Sequence, residues 1–166
     1  RQIADGVYAF IADSGEASVA NGGRVGNSGF VIGTDGVVVI DTGASYQHGR
    51  QMLEAISRVT DKPVRLAIIT HAVQEFLFGN AAFAERGIPI LAHRETVELM
   101  QARCAHCLER LRLLLGNELD GTRLVLPGIQ ISAGTVIEAG GRQLELLHFG
   151  WASTPGAVGQ LWLFIV

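Results

Sequence analysis

The sequence predicts a mixed α/β protein built in layers. Two apolar runs, Val37–Ile40 and residues 66–69, do not alternate with polar residues. Strands of this kind are covered on both faces. Helical segments with one apolar stripe lie between and after them, and the C-terminal part changes to short period-two segments that are typical of antiparallel strands. Together these patterns favour an α/β (α+β) architecture with a mixed sheet, in one domain spanning residues 1–166.

The N-terminal region predicts a strand, a loop and a hairpin. Residues 6–12 favour a strand, and residues 13–27, rich in Gly, Ser, Ala and Asn, form a loop that is either a lid beside a site or a plain connector. Residues 30–33 and 37–40 are predicted strands joined by Thr34-Asp35-Gly36. Asp-Gly between apolar runs is a strong hairpin signal.

The middle of the chain alternates helices and strands. Ser45 is a predicted N-cap for a helix over residues 46–59, whose apolar residues form one stripe. A strand over residues 66–70 leads through a polar loop into a short helix over residues 80–87. Residues 88–91 predict a further short strand, and Arg94 begins a long helix that Gly116 ends.

The C-terminal part predicts several short strands. They cover residues 123–126, 129–131, 135–138, 143–147 and 161–166. Gly140-Gly141 is a predicted hairpin turn.

Composition excludes several functional classes. Hydrophobic residues make up 48% of the chain, charged residues 17%, and the net charge is −3. Since no basic block or long apolar span is present, we expect no nucleic-acid partner and no membrane partner. We expect a soluble protein, of either the cytoplasm or the periplasm.

Two cysteines lie three residues apart on the predicted long helix. Cys104 and Cys107 flank His106, an arrangement that invites a metal interpretation. His106 should point away from the face that the cysteines share. We therefore favour small apolar packing residues over metal ligands.

Four landmarks together resemble the metallo-β-lactamase superfamily. They are Asp41-Thr42-Gly43 at the end of one strand, Thr70-His71 at the end of the next, Gly79-Asn80, and the late Thr154-Pro155-Gly156. The resemblance covers nearly the whole chain. Within the superfamily, the chain resembles the periplasmic zinc hydrolases linked to quinoprotein and sulfur-oxidation systems. It implies an αββα sandwich, of which this chain carries roughly the first half and is C-terminally incomplete.

The resemblance also shows which metal ligands are replaced. The superfamily's loop is His-x-His-x-Asp-His, and His71 matches its first position. Val73 and Phe76 stand at the second and third His positions, and Glu75 stands at the Asp position. Ser153 occupies the position of the later His. A catalytic zinc needs three protein ligands and an open position, and Val73 and Phe76 offer no electron pair.

Two functions from different classes remain at this point. We favour a degenerate, non-catalytic protein of this fold that acts as a binding or interaction module, with no cofactor. The alternative is a metal-dependent hydrolase with zinc held in a rearranged site by His71 and Glu75, where Glu75 is also the candidate general base. A small-molecule ligand would lie near pocket-lining residues, for which Asp41, His148, Trp151 and Ser153 are the candidates.

Half of a four-layer sandwich should leave one sheet face bare. The buried strands are apolar on both faces, and a large exposed apolar face marks an interface. We therefore expect a homodimer that pairs sheet on sheet through the uncovered face. The alternative is a fragment whose remaining half was removed or is supplied by another chain.

Overall fold

The computed structural model describes residues 1–148 and the backbone of the strand at residues 161–165. The strands are β1 (Gln2–Ala4), β2 (Val7–Phe10), β3 (Ser28–Ile32), β4 (Val37–Ile40), β5 (Val64–Ile69), β6 (Ile90–His93), β7 (Ile129–Ile131), β8 (Thr135–Ala139), β9 (Arg142–His148) and β10 (Leu161–Ile165). The helices are α1 (Tyr46–Ser57), α2 (Gln74–Leu77), α3 (Asn80–Glu85) and α4 (Arg94–Leu115), and a 3-10 turn follows at Gly116–Leu119.

Two sheets make up the fold. The first has seven strands in the order β1 to β7, and the second has three in the order β10, β9, β8. Strands β1 to β4 pair antiparallel, whereas β4 to β7 pair parallel. The predicted mixed sheet in an α/β protein is therefore confirmed.

The seven-stranded sheet is covered on both faces. Alternate residues of β4 and β5 enter two separate cores, as the period of two in a strand requires. Val37, Val39 and Ile69 pack with residues of α1, α3 and α4. Val38 and Ile68 pack against the second sheet. The apolar runs in β4 and β5 do not alternate with polar residues because both faces of the sheet are covered, as the sequence predicted.

The expectation of a bare sheet face is wrong. Leu144 and Leu146 of β9 are fully buried against Val38, Leu66 and Ile68 of the first sheet. The hairpin of β8 and β9 therefore supplies the second layer within the same chain. The homodimer that was expected from a bare face stays a prediction, and it needs another surface.

Local sequence signals place most helices and turns. Ser45 caps α1, because its hydroxyl oxygen accepts a hydrogen bond from the backbone N–H of His48 at 3.1 Å. Helix α4 begins and ends at the predicted residues, and its buried face includes Met100, Cys104 and Leu111. The Asp35-Gly36 hairpin joins β3 to β4, with the Gly33 N–H donating to the Gly36 carbonyl at 2.9 Å.

Three local predictions differ from the structure. Strand β1 and the single-turn helix α2 were not predicted. The predicted strand at residues 123–126 is an irregular segment that belongs to neither sheet. Pro127 follows it and has no N–H for a ladder. The Val125 carbonyl instead accepts a hydrogen bond from the Asn80 side-chain amide at 2.9 Å.

Within the described residues, no helix is both long enough and apolar enough to cross a bilayer.

Candidate functional site

The parallel strands of the first sheet bring polar residues to one edge. Ile40 pairs with Ile68, and Ile69 pairs with Ala92. The residues that come next are Asp41 after β4, Thr70 after β5, and His93 at the end of β6. These residues therefore lie side by side at the carboxyl edge of the sheet, where α/β proteins place their ligand sites.

A short hydrogen-bond chain connects Asp41, Thr70 and His71. The Thr70 N–H donates to Asp41 Oδ1 at 2.8 Å, and the Thr70 hydroxyl donates to Asp41 Oδ2 at 2.6 Å. The same hydroxyl oxygen lies 2.6 Å from His71 Nδ1. Asp41 is buried, and its backbone is in the left-handed region at φ 60°. These hydrogen bonds hold His71 in place through Thr70. They also engage both carboxylate oxygens of Asp41, which is therefore not free as a direct metal ligand.

Burial favours the neutral forms of both ends of this chain. Desolvation raises the pKa of Asp41 from 3.8 to about 7, against the lowering effect of its two hydrogen bonds from Thr70. Desolvation also lowers the pKa of His71 below its usual 6.5. When Asp41 is protonated, its carboxyl group can donate a hydrogen bond to the Thr70 hydroxyl oxygen, and the Thr70 hydroxyl can then donate to His71 Nδ1.

The loop after His71 places an aromatic ring beside the imidazole and offers one carboxylate. The Phe76 ring lies 5.2 Å from the His71 ring between centroids, at an interplanar angle of 34°. Val73 is 38% exposed and precedes α2. Glu75 Oε1 accepts a hydrogen bond from the Gln74 amide at 3.1 Å, whereas Glu75 Oε2 is buried without a hydrogen-bond partner in the described residues. The donors here, His71 and Glu75, do not fit the three-ligand zinc centre that the superfamily implies.

The strand ends are locked to this loop through its backbone. The Thr42 N–H donates to the Phe76 carbonyl at 2.8 Å, and the Gly79 N–H donates to the Gly43 carbonyl at 2.9 Å. The Thr42 hydroxyl donates to Asn80 Oδ1 at 2.8 Å. The Asp-Thr-Gly and Gly-Asn landmarks thus have a structural role, because they fix the loop on the sheet edge.

The loop at residues 13–27 lies against the same segment. A Cβ added to Gly26 would come within 2.9 Å of both Phe76 and Glu75, and one added to Gly23 would come within 2.8 Å of Leu115. Asn21 Oδ1 accepts hydrogen bonds from the N–H groups of Ser18 and Gly23 at 2.9 and 3.0 Å. The loop at residues 13–27 therefore packs against Glu75 and Phe76 and against the end of α4.

A second polar group, which the sequence did not single out as a site, lies at the end of β6. His93, Glu95 and His148 place one ligand atom each within 4.8 Å of one another. The His93 and His148 rings stack at 3.8 Å between centroids. His148 was predicted to line a pocket, whereas no role was predicted for His93. The available signal was the His-x-Glu spacing at a strand-to-helix junction.

The other predicted site residues are placed as follows. Asp41 borders a surface depression of about 230 Å³ that Tyr8, Phe30 and Ile40 also line. Trp151 and Ser153 lie outside the described residues. Cys104 lies in the core, where burial, with a smaller effect of Cys107, raises the pKa of its thiol to about 12. The roles assigned to these residues stay predictions.

A pocket of about 510 Å³ lies beside the packed loop. Phe10 and Met52 give it apolar walls, and Asp13, Arg24 and Gln51 give it polar ones. Arg24 Nε lies 4.0 Å from Asp13 Oδ2. Small-molecule sites combine a mostly apolar lining with a few polar groups in this way.

Comparison with known proteins agrees with this architecture. The Metallo-beta-lactamase superfamily matches residues 21–158. A metallo-beta-lactamase from Pontibacter korlensis superposes with a TM-score of 0.75 at 20% identity, over 99% of this chain and 65% of that one. The metallo-beta-lactamase FIM-1 from Pseudomonas aeruginosa, in a mono-zinc form, gives 0.72 at 18% identity, over 98% and 62%.

A third solved structure has a similar extent. The metallo-beta-lactamase from Erythrobacter litoralis, solved with beta mercaptoethanol in its active site, gives a TM-score of 0.66 at 24% identity, over 99% of this chain and 64% of that one. No curated protein matches the chain. This chain spans slightly less than two thirds of the length of these solved relatives. By its matching residues and its fold, the chain belongs to the metallo-β-lactamase superfamily.

Proposed function

We propose that this chain is a binding or interaction module of the metallo-β-lactamase fold, without a hydrolytic zinc centre in its loop at residues 70–80. One observation carries the proposal. The loop contributes two side chains with metal-binding atoms, His71 and Glu75, and apolar side chains stand at two further ligand positions. A hydrolytic zinc needs three protein ligands to hold it and to activate its water.

The packing of the loop supports this proposal. Phe76 places an aromatic ring beside His71, at 5.2 Å between ring centroids. His71 Nδ1 contacts Thr70, and Thr70 is hydrogen-bonded to the buried Asp41. The scaffold contacts of Thr42, Gly79 and Asn80 hold the loop on the sheet edge and use no atom of His71 or Glu75.

A binding role is supported by the pocket of about 510 Å³ beside the loop at residues 13–27. Its volume is that of a small-molecule site. The paired charges of Arg24 and Asp13 and the apolar walls from Phe10 and Met52 suit a small organic molecule with a polar and an apolar part. This ligand class belongs to the proposal.

The alternative, a metal-dependent hydrolase around His71 and Glu75, has one observation in its favour. Glu75 Oε2 is buried and has no hydrogen-bond partner in the described part of the chain. A buried carboxylate oxygen that lacks a partner is costly, and a metal ion would satisfy it. The donor count weighs against this reading, because a third ligand is needed.

Hydrolysis assays separate the two functions. The purified protein, supplied with zinc, is tested on a chromogenic β-lactam and a thioester, beside His71→Ala, Glu75→Gln and the exposed control His106→Ala. We expect all four proteins to give the same rate as zinc in buffer. Zinc-dependent turnover that disappears in His71→Ala and persists in His106→Ala would establish the hydrolase instead.

A further inference from the structure

His93, Glu95 and His148 come together from three elements. His93 ends β6 and is 1% exposed, Glu95 lies in the first turn of α4, and His148 ends β9. His148 Nε2 lies 3.7 Å from Glu95 Oε2. The three candidate ligand atoms lie within 4.8 Å of one another. Two sheets and one helix therefore converge on this point.

Two of the nitrogen atoms in this group lack a hydrogen-bond partner in the described residues. His93 Nε2 and His148 Nε2 are both buried, and neither has a hydrogen-bond partner among the residues that the structure describes. His93 Nδ1 is engaged, since it accepts a hydrogen bond from the Glu95 N–H at 3.3 Å. Native proteins rarely leave a buried polar atom without a partner, and each such atom calls for an explanation such as an ion or a water.

We propose that His93, Glu95 and His148 form a binding site for a divalent transition-metal ion of the zinc class. Two imidazoles and one carboxylate are a common zinc donor set, and they leave a fourth position open. Borderline nitrogen ligands favour zinc, cobalt or nickel over the oxygen-preferring magnesium and calcium. The site goes beyond the proposed binding role, because it uses none of the residues of the His71 loop.

Binding requires a small rearrangement. The two imidazole planes are only 15° apart, so their in-plane lone pairs do not converge on one point. One ring must turn for both nitrogens to reach the same ion. Ligation through His93 Nε2 also places the ring proton on Nδ1, which can then no longer accept from the Glu95 N–H. We therefore expect metal binding to loosen the first turn of α4.

The same helix offers a matched control pair. His106 and Glu109 lie one turn apart on the exposed side of α4, with His106 Nδ1 3.5 Å from Glu109 Oε2. This pair has the same residue types as His148 and Glu95 but is open to solvent. Replacing the control pair removes one histidine and one carboxylate, as replacing His148 and Glu95 does. It leaves the buried group of His93, Glu95 and His148 intact.

The test is titration of the metal-free protein with Zn²⁺ against a chromophoric chelator, and with Co²⁺ followed by visible absorption. We expect about one ion per chain, and at least about a tenfold loss of affinity in both Glu95→Gln and His148→Gln. The double variant His106→Gln/Glu109→Gln and the variant His71→Ala should bind as the parent does. His93→Asn, which keeps an N-cap acceptor, should lose binding while its circular dichroism spectrum stays unchanged.

Two results would overturn the proposal. One is the absence of binding at zinc concentrations up to about 100 µM, well above the micromolar range of a specific site. The other is binding that persists in Glu95→Gln and His148→Gln. Neither result bears on the proposed binding role, which fails only if zinc-dependent hydrolysis requires His71.

Discussion

At the scale of single residues, protonation of Asp41 makes the free energy of unfolding depend on pH. Burial raises the pKa of its carboxyl group from 3.8 to about 7. Between these values the folded protein holds a proton that the unfolded chain releases. The free energy of unfolding should therefore fall as the pH rises from about 4 to about 7, and this contribution should stay level above that window.

Asp41→Asn tests this coupling. The amide remains neutral at every pH, so the variant should gain stability relative to the parent as the pH rises. The raised pKa of Asp41 corresponds to a change of about 4 kcal/mol in the relative free energy of unfolding between pH 4 and pH 8. Urea unfolding across that range measures it, with the exposed Asp35→Asn as control. Parallel stability curves for the parent and Asp41→Asn would contradict the raised pKa.

Gly79 is required by a close approach of two backbones. A Cβ at this position would lie 1.9 Å from the Thr42 carbonyl oxygen, and the backbone there cannot yield as a flexible side chain would. We expect Gly79→Ala to lower the free energy of unfolding by about 3 kcal/mol. Gly128→Ala, where no atom lies within 4 Å of the added Cβ, is the control. Equal stability of the two variants would show that Gly79 does not pack against the Thr42 backbone in this way.

At the scale of elements, the β8–β9 hairpin holds the second layer in place. Leu146 is fully buried against the first sheet, so Leu146→Ala leaves a cavity between the two sheets. We expect a loss of 2 to 5 kcal/mol, roughly the range for buried leucines. Leu113→Ala, at a site that is 90% exposed on α4, should change stability little. Denaturant unfolding of both variants measures the difference, and a loss below about 0.5 kcal/mol for Leu146→Ala would contradict the packed second sheet.

Sequence signals predicted those elements whose stabilisation is local. Helix α4 has a continuous apolar stripe and a glycine stop, and the β3–β4 hairpin has its Asp-Gly turn. Residues 123–126 have strand composition, but pairing depends on a neighbouring strand, and Pro127 limits it. The packing of Leu144 and Leu146 on β4 and β5 joins residues about eighty positions apart or more. No local pattern in the sequence encodes that contact.

At the scale of the whole molecule, a homodimer remains a prediction with a changed interface. Since β9 covers the first sheet, we place the interface on the outer side of the three-stranded sheet, where Val136 is 53% exposed among the described residues. Light scattering after size exclusion should give twice the 17.7 kDa chain mass at micromolar concentration. Val136→Glu should give the single-chain mass, whereas Val19→Glu, in the loop at residues 13–27, should not. A single-chain mass for the parent protein would refute the dimer.

The site was predictable only in part. His71, Glu75 and Asp41 follow buried strands, and their place at the sheet edge could be inferred from that pattern. The contact between His93 and His148 could not, because it joins β6 of one sheet to β9 of the other. The proton position on the Asp41–Thr70–His71 chain also depends on burial, which a sequence does not give.

We propose that the His71 loop holds no zinc. The zinc content of protein that has been loaded with zinc and then desalted tests this most directly. It should be measured by elemental analysis for the parent, His71→Ala and the double variant Glu95→Gln/His148→Gln. We expect His71→Ala to keep the zinc content of the parent and the double variant to lose it. Loss of zinc in His71→Ala, with retention in the double variant, would instead place the metal in the loop.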